Sequence, residues 1–218
     1  MSSPRLPGIG RTFSSEPKPC TSELDGTFPH HVGRLRTPKH EERNSDRPAQ
    51  ADDRSVPGHW EGDLVIGRGG KTAVVALVER RSRMFFCRRL TGDRSSLMVI
   101  DMLKSVLLEI NQMQASGVGR IDTLTWDQGT EMARVAELES EIDGLNVYFC
   151  DSHSPWQRPS NENINAELRR FHPKKTDFDD VTDADLHRVQ ELINDTPRVA
   201  LRDGNKETCA AAEKSAAS

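Results

Sequence analysis

The stretch His59-Trp-Glu-Gly-Asp-Leu-Val-Ile66 decides the fold. It is predicted to be a β-strand, because apolar residues dominate it and a turn of glycines follows. Successive side chains of a strand point to opposite faces, which puts Glu61, Asp63 and Val65 together on one face. Asp63 is then a charged residue inside an otherwise apolar strand, and burying a charge is costly unless it is paired or bound to a cation. Asp63 is therefore the first candidate for a functional residue.

Two further strands follow the first one. The glycine-rich turn 67–70 separates it from an apolar strand over 72–78, and the short turn 79–82 leads to a third strand over 83–90. Such short turns predict an antiparallel meander. The next segment, 95–114, carries apolar residues at positions 99, 100, 103, 107 and 110, which is the spacing of a helix.

The second half of the chain alternates strands and helices. The pattern predicts strands over 121–126 and 146–150, and helices over 131–142, 161–171 and 183–194. Thr182 precedes the last helix, with Asp185 three residues on, as in a capping box. The whole order, β-β-β-α-β-α-β-α-α, predicts an α/β protein with a mixed five-stranded sheet and helices on both faces. That order is the ribonuclease H-like arrangement.

Composition changes near residue 55. Residues 1–54 contain seven of the twelve prolines and no apolar period of 3.6 or 2, which predicts a disordered or loosely packed leader. We expect the folded core to span 55–200 and an irregular C-terminal tail to span 201–218.

Length and composition exclude several classes of protein. The 218 residues suffice for one domain with a core, and charge interrupts the apolar stretches too often for a transmembrane helix. The N-terminus lacks the apolar segment of a secretory signal, so we expect a cytoplasmic protein. The cysteines, at 20, 87, 150 and 209, form no CxxC pair, which argues against a zinc site or a disulfide framework. The formal net charge of −4 does not by itself indicate nucleic-acid binding.

Three acidic residues stand where this fold would bring them together. Asp63 lies in the first strand, Asp127 ends the fourth strand, and Glu162 begins the helix after the loop 151–160. If the first and fourth strands are neighbours, Asp63 and Asp127 can share a cation, and Glu162 can approach from the helix. Each residue alone also has an ordinary explanation: a strand edge for Asp63, a turn or cap for Asp127, and the helix dipole for Glu162.

Carboxylates without cysteine or histidine are a donor set for hard cations such as Mg²⁺. Two Mg²⁺ ions about 4 Å apart stabilise both the attacking and the leaving oxygen of a phosphodiester displacement. The three acids therefore point to metal-dependent cleavage or transfer of phosphodiester bonds.

Three blocks of sequence resemble the IS30-family insertion-sequence transposases. They are Val56-Pro-Gly-His-Trp-Glu-Gly-Asp-Leu-Val-Ile-Gly67, Thr125-Trp-Asp-Gln-Gly-Thr-Glu-Met-Ala133 and Tyr148-Phe-Cys-Asp-Ser-His-Ser-Pro-Trp-Gln-Arg-Pro-Ser-Asn-Glu-Asn163. The resemblance covers roughly residues 45 to 200, with 34 residues between Asp127 and Glu162. It implies an integrase-type catalytic core over 55–200. By analogy Asp63, Asp127 and Glu162 form an Asp-Asp-Glu catalytic triad that binds two Mg²⁺ ions, for which Mn²⁺ can substitute.

The resemblance also implies a reaction and its partners. A transposase of this kind cleaves DNA at the ends of its element and joins them to target DNA. Its partners would be both DNAs and, because two ends must meet, further copies of the chain in a homo-oligomer. The family recognises its ends through an N-terminal helix-turn-helix region, which residues 1–54 do not resemble, so we expect a truncated enzyme. Two alternatives stay open: a nuclease without strand transfer, and an inactive remnant that binds only DNA or a full-length transposase.

Some positions depart from the family pattern. Pro159 replaces a glycine and stiffens the loop before Glu162, Glu167 replaces a leucine, and the segment 199–209 lacks the expected Leu-Gly and Thr-Pro pairs. Glu162 is preferred over Glu167 as a metal ligand, because the two point to different faces of the helix.

Basic residues cluster around the helix of Glu162. We expect them to contact DNA phosphates, with a solvated charged face as the alternative. They are Arg158, Arg169, Arg170, Lys174 and Lys175. Glu61 is expected to be a surface residue rather than an outer-shell carboxylate, and Asn161 is expected to cap its helix. Trp156 is expected to pack, and no metal is assigned to His153.

Overall fold

The computed structural model of the chain describes residues 44–113, 120–151, 154, 157–199 and 206–207. The strands within these residues are β1 (His59–Ile66), β2 (Ala73–Glu79), β3 (Phe85–Leu90), β4 (Thr123–Trp126), β5 (Asn146–Phe149) and the two-residue β6 (Arg198–Val199) and β7 (Lys206–Glu207). The helices are α1 (Ala49–Asp53), α2 (Ser96–Met113), α3 (Val135–Glu141), α4 (Pro159–Phe171) and α5 (Asp183–Asp195). From β1 to α5 the order is the one that the sequence predicts.

Strands β1 to β5 form one mixed sheet in the order β3-β2-β1-β4-β5. The first three strands are an antiparallel meander, whereas β4 pairs in parallel with both β1 and β5. The predicted mixed five-stranded sheet is therefore confirmed. Strand β1 lies at its centre, because it joins the meander to the parallel half.

Side chains of β1 alternate between two separate apolar clusters, as the sequence predicts. Trp60 packs with the apolar side of α2 and with α3, whereas Val65 packs with α4 and α5 on the opposite face. All five apolar positions predicted for α2 are buried: Val99, Ile100, Leu103, Leu107 and Ile110. Helices therefore cover both faces of the sheet, which explains why every residue of β2 is buried.

Gly62 is the position in β1 where only a glycine fits. A Cβ atom there would overlap the indole ring of Trp126, which is completely buried, and would lie 2.8 Å from Cδ2 of Leu77. The backbone of β1 thus passes directly beneath an aromatic ring contributed by β4. This close packing fixes how the two strands that carry Asp63 and Asp127 lie against each other.

Residues 44–54 belong to the packed part of the molecule. They form a short 3-10 turn, Asn44–Asp46, followed by α1, and the side chains of Arg47 and Ala51 are buried. The prediction of a loosely packed leader is therefore wrong for these residues, which carry no apolar period because they pack mainly through polar contacts. The rest of the predicted leader, 1–43, lies outside the described residues.

The start of α5 is as the sequence predicts. Thr182 and Asp185 form the predicted capping box, with Oγ1 of Thr182 accepting from the Asp185 backbone N–H. Of the predicted tail, 201–218, only Lys206–Glu207 is described, as a strand that pairs with Arg198–Val199.

Among the described helices, none is both long enough and apolar enough to cross a membrane.

The contact between Gly62 and Trp126 gives a test of the sheet. Gly62→Ala is expected to lower the free energy of unfolding by about 1–3 kcal/mol, because the added methyl group overpacks the interior. Urea denaturation followed by circular dichroism measures the change. Gln112→Ala on the exposed side of α2 serves as the control, and equal stability of the two variants would contradict the close packing.

Candidate active site

The parallel pairing of β1 with β4 brings two acidic residues together. Glu61 lies opposite Thr125 in this pairing. Two residues further along each chain come Asp63 and Asp127, which therefore lie on the same face and at the same level of the sheet. Strand β4 ends at Trp126, so Asp127 is the first residue beyond it.

Arg158 lies between these two carboxylates. One guanidinium nitrogen is 3.6 Å from Oδ1 of Asp63, and the other is 3.2 Å from Oδ2 of Asp127. The first nitrogen also donates to the backbone oxygen of Gly62 at 2.9 Å. The arginine thus confirms by its geometry that Asp63 and Asp127 are close enough to share one positive charge.

Asn165 holds the second oxygen of the Asp63 carboxylate. Its Nδ2 donates to Oδ2 of Asp63 at 2.8 Å, while its own Oδ1 is buried without a partner among the described residues. Burial raises the pKa of Asp63 above its ordinary value, and the charge of Arg158 and the Asn165 amide offset this only in part. Sequence analysis missed Asn165, although its position three residues after Glu162 places both on one side of a helix.

Glu162 lies in the first turn of α4, on the side of the helix that faces β1. Residues 158, 162, 165 and 169 follow helical spacing along that side, and Arg158, Asn165 and Arg169 each contact β1. The Glu162 side chain is exposed. Within the described part of the chain, no three His, Cys, Asp or Glu side chains are close enough together to hold a metal ion. The structure therefore brings Asp63 and Asp127 together and leaves Glu162 on the adjoining turn.

The donor set fits a divalent cation at the Asp63–Asp127 pair. Two carboxylates that face the same guanidinium lie on one side of the sheet edge, and oxygen is the ligand that Mg²⁺ prefers. The unpartnered Oδ1 of Asn165 adds a neutral oxygen beside them. A third carboxylate would have to come from Glu162.

Glu61 is fully buried, so the prediction of a surface residue is wrong. Its Oε1 accepts from the Arg80 guanidinium at 2.6 Å, and its Oε2 accepts from the backbone N–H of Asn161 at 2.9 Å. The second bond satisfies one of the free N–H groups in the first turn of α4. Glu61 thus fixes the start of the helix that carries Glu162. The sequence identifies the face of Glu61 but not its cationic partner, which belongs to the turn after β2.

Arg80 connects this ion pair to the segment 44–54. Its Nε donates to the backbone oxygen of Ala51 at 2.7 Å. Arg47, from the same segment, donates to Oγ1 of Thr125 at 2.9 Å and pairs with Asp52. Both guanidinium groups are buried. This network joins α1, β1, β4 and α4 at the strand positions just before Asp63 and Asp127, which are called the acidic pair below.

The start of α4 differs from the prediction in two ways. The helix begins at Pro159, which is favourable at a first helical position because its missing N–H would have no partner there. Asn161 does not cap the helix: its side chain is buried and its polar atoms have no partner among the described residues. The substitution of Pro159 for glycine is therefore compatible with the helix.

The basic residues expected to bind DNA differ in their surroundings. Two of them contact β1: Arg158 lies between the two aspartates, and Arg169 donates to the backbone oxygen of Ile66 at 2.7 Å. Arg170 is exposed and pairs with Glu167, which is therefore turned away from Asp63 and Asp127. Lys174 and Lys175 are exposed. His153 and Trp156 lie outside the described residues.

The fold is that of a ribonuclease H-like integrase core. Residues 53–155 match the model of the Integrase core domain, a range that includes Asp63 and Asp127 and ends before Glu162. The fold is similar to a chain of the simian T-cell lymphotropic virus intasome, solved in complex with PP2A regulatory subunit B56 gamma. That similarity has a TM-score of 0.55 at 15% identity and covers 72% of this chain and 55% of that one.

The amino-acid sequence is similar to those of bacterial transposases. Over 158 residues the chain is 41% identical to the transposase for insertion sequence element IS1086 of Cupriavidus metallidurans, covering 71% of this chain and 43% of that protein. Over 167 residues it is 39% identical to the transposase InsI for insertion sequence element IS30A of Escherichia coli, covering 76% of this chain and 40% of that protein. The resemblance to IS30-family transposases is therefore confirmed. The chain spans less than half of the length of these relatives.

Removing Glu61 tests the buried network. Glu61→Ala is expected to lower the free energy of unfolding by about 3–5 kcal/mol, because Arg80 would stay buried without its charge partner. The measurement is chemical denaturation of the purified chain. Glu167→Ala, which removes a carboxylate from an exposed ion pair, is the matched control and should have a much smaller effect. A loss below about 1 kcal/mol for Glu61→Ala would contradict the assigned role.

Proposed function

We propose that the chain is the catalytic core of a DNA transposase that cleaves DNA and transfers the cleaved strand to a target. The observation that carries this proposal is that Asp63, on β1, and Asp127, just after β4, both face the Arg158 guanidinium. The similarity to IS30-type transposases supports the reaction class, since it covers most of this chain. The family's integrase core is the domain in which the pair lies.

Asp63, Asp127 and Glu162 are the proposed catalytic triad and the ligands of the metal. The three carboxylates would hold two Mg²⁺ ions, for which Mn²⁺ could substitute. Bound divalent ions supply charge stabilisation to the attacking and leaving oxygens of the phosphodiester.

The remaining side chains of the site position these carboxylates. Asn165 orients Asp63 through its hydrogen bond at 2.8 Å. Glu61 holds the first turn of α4 through the Asn161 N–H, and so limits where the Glu162 side chain can reach.

DNA is the proposed partner, both as element ends and as target. Arg158, Arg169, Arg170, Lys174 and Lys175 are the proposed phosphate contacts. Lys174 and Lys175 support this best, because both side chains are exposed. Recognition of specific ends and assembly into a homo-oligomer are proposed for the transposase as a whole.

Nicking of supercoiled plasmid DNA tests the proposal. The wild-type chain is expected to nick DNA with Mn²⁺ or Mg²⁺, and Asp127→Asn is expected to lose about 100-fold or more of that activity. Asp143→Asn, the same chemical change at an exposed position outside the site, is the control and should keep activity.

The outcomes separate the alternatives. Nicking followed by joining of the freed 3′ ends to a second DNA supports a transposase. Nicking without joining, in the same reactions, would identify a nuclease. DNA binding without any metal-dependent cleavage by the wild type would contradict the proposal and identify an inactive remnant.

A further inference from the structure

The guanidinium of Arg158 lies between the carboxylates of Asp63 and Asp127. Its side chain is 14% exposed, and its two terminal nitrogens face Asp63 and Asp127 at 3.6 and 3.2 Å. Its third contact is the backbone oxygen of Gly62. Every one of these partners is an oxygen that carries full or partial negative charge.

When no metal is bound, a positive charge between Asp63 and Asp127 stabilises the pair. The register of β1 and β4 forces the two carboxylates to lie side by side, and like charges in a partly buried site repel strongly. Arg158 counters this repulsion, because its planar guanidinium can contact two carboxylates at once.

The same guanidinium opposes the binding of a divalent ion at the pair. An Mg²⁺ ion lies about 2.0–2.1 Å from each carboxylate oxygen that binds it. A guanidinium within 3.2 Å of the Asp127 oxygen would then face a doubly charged ion across the same oxygen. Since like charges repel, the metal is expected to displace Arg158 from its present position.

Arg158 is also free to leave without disturbing the fold. It is the residue before the first turn of α4, and its side chain makes no capping bond to the helix. The helix is held instead by Glu61 at the Asn161 N–H, by Asn165 and by Arg169. The side chain can therefore swing away while the backbone of α4 stays in place.

We propose that Arg158 is an exchangeable internal cation: it holds Asp63 and Asp127 together in the metal-free protein and is displaced when a divalent ion binds. This inference rests on the proposed metal site at the two aspartates. It makes Arg158 a positioning residue for the carboxylates and a direct competitor of the metal.

Isothermal titration of Mn²⁺ into the metal-free chain tests the exchange without any measurement of activity. Arg158→Gln is expected to bind Mn²⁺ about tenfold more tightly than the wild type, since no guanidinium has to be displaced. Arg158→Lys keeps the charge but lacks the planar fork that reaches both acids, and should bind with an intermediate affinity. Thermal melts without metal establish that each variant is folded.

Two further variants separate the possible failures. Arg188→Gln removes the same charge from an exposed position of α5, away from both aspartates and from the contacts that hold α4, and should change Mn²⁺ affinity less than about twofold. Asp127→Asn should abolish the binding that Arg158→Gln strengthens. Mn²⁺ affinity of Arg158→Gln equal to or below that of the wild type would overturn the exchange alone. Absence of any binding that depends on Asp127 would overturn both the exchange and the metal site.

Discussion

The parallel pairing of β1 with β4 is the constraint on which the rest of the molecule depends. It places Glu61 opposite Thr125, and the next residues of the same face are Asp63 and Asp127. Gly62 permits this pairing, because the backbone of β1 passes against the ring of Trp126 where any Cβ atom would collide. The acidic pair is thus a consequence of strand register, and its electrostatic cost is offset by a cation from a third element.

Helix α4 supplies that cation, and polar contacts fix the helix along β1. Asn165 and Arg169 bind the strand at Asp63 and at the Ile66 backbone, while Arg158 contacts Gly62 from the residue before the helix. Apolar side chains on the adjacent side of the helix, including Leu168, pack into the core. Because the contacts recur at spacings of three and four residues, Glu162 is carried on the same side of the helix as the residues that touch Asp63.

The sequence predicts the sheet and the acidic pair because both depend on local periodicity. Alternation in β1 identifies the face of Asp63, and the end of an apolar strand identifies Asp127. The burial of Glu61 was not predictable, because it depends on Arg80, whose position is set by long-range packing. The contact of Arg158 with Asp63 and Asp127 is not predictable either, since its sequence position next to the helix start does not reveal which carboxylates the long side chain reaches in the fold.

The most direct test of the site is the position of a bound ion. Crystals of the chain grown with Mn²⁺ and measured by anomalous diffraction locate the ion independently of any activity. We expect an anomalous peak within about 2.1 Å of carboxylate oxygens from both Asp63 and Asp127. Occupied Mn²⁺ sites elsewhere on the molecule, with none at this pair, would contradict the assignment of the two aspartates as the metal site.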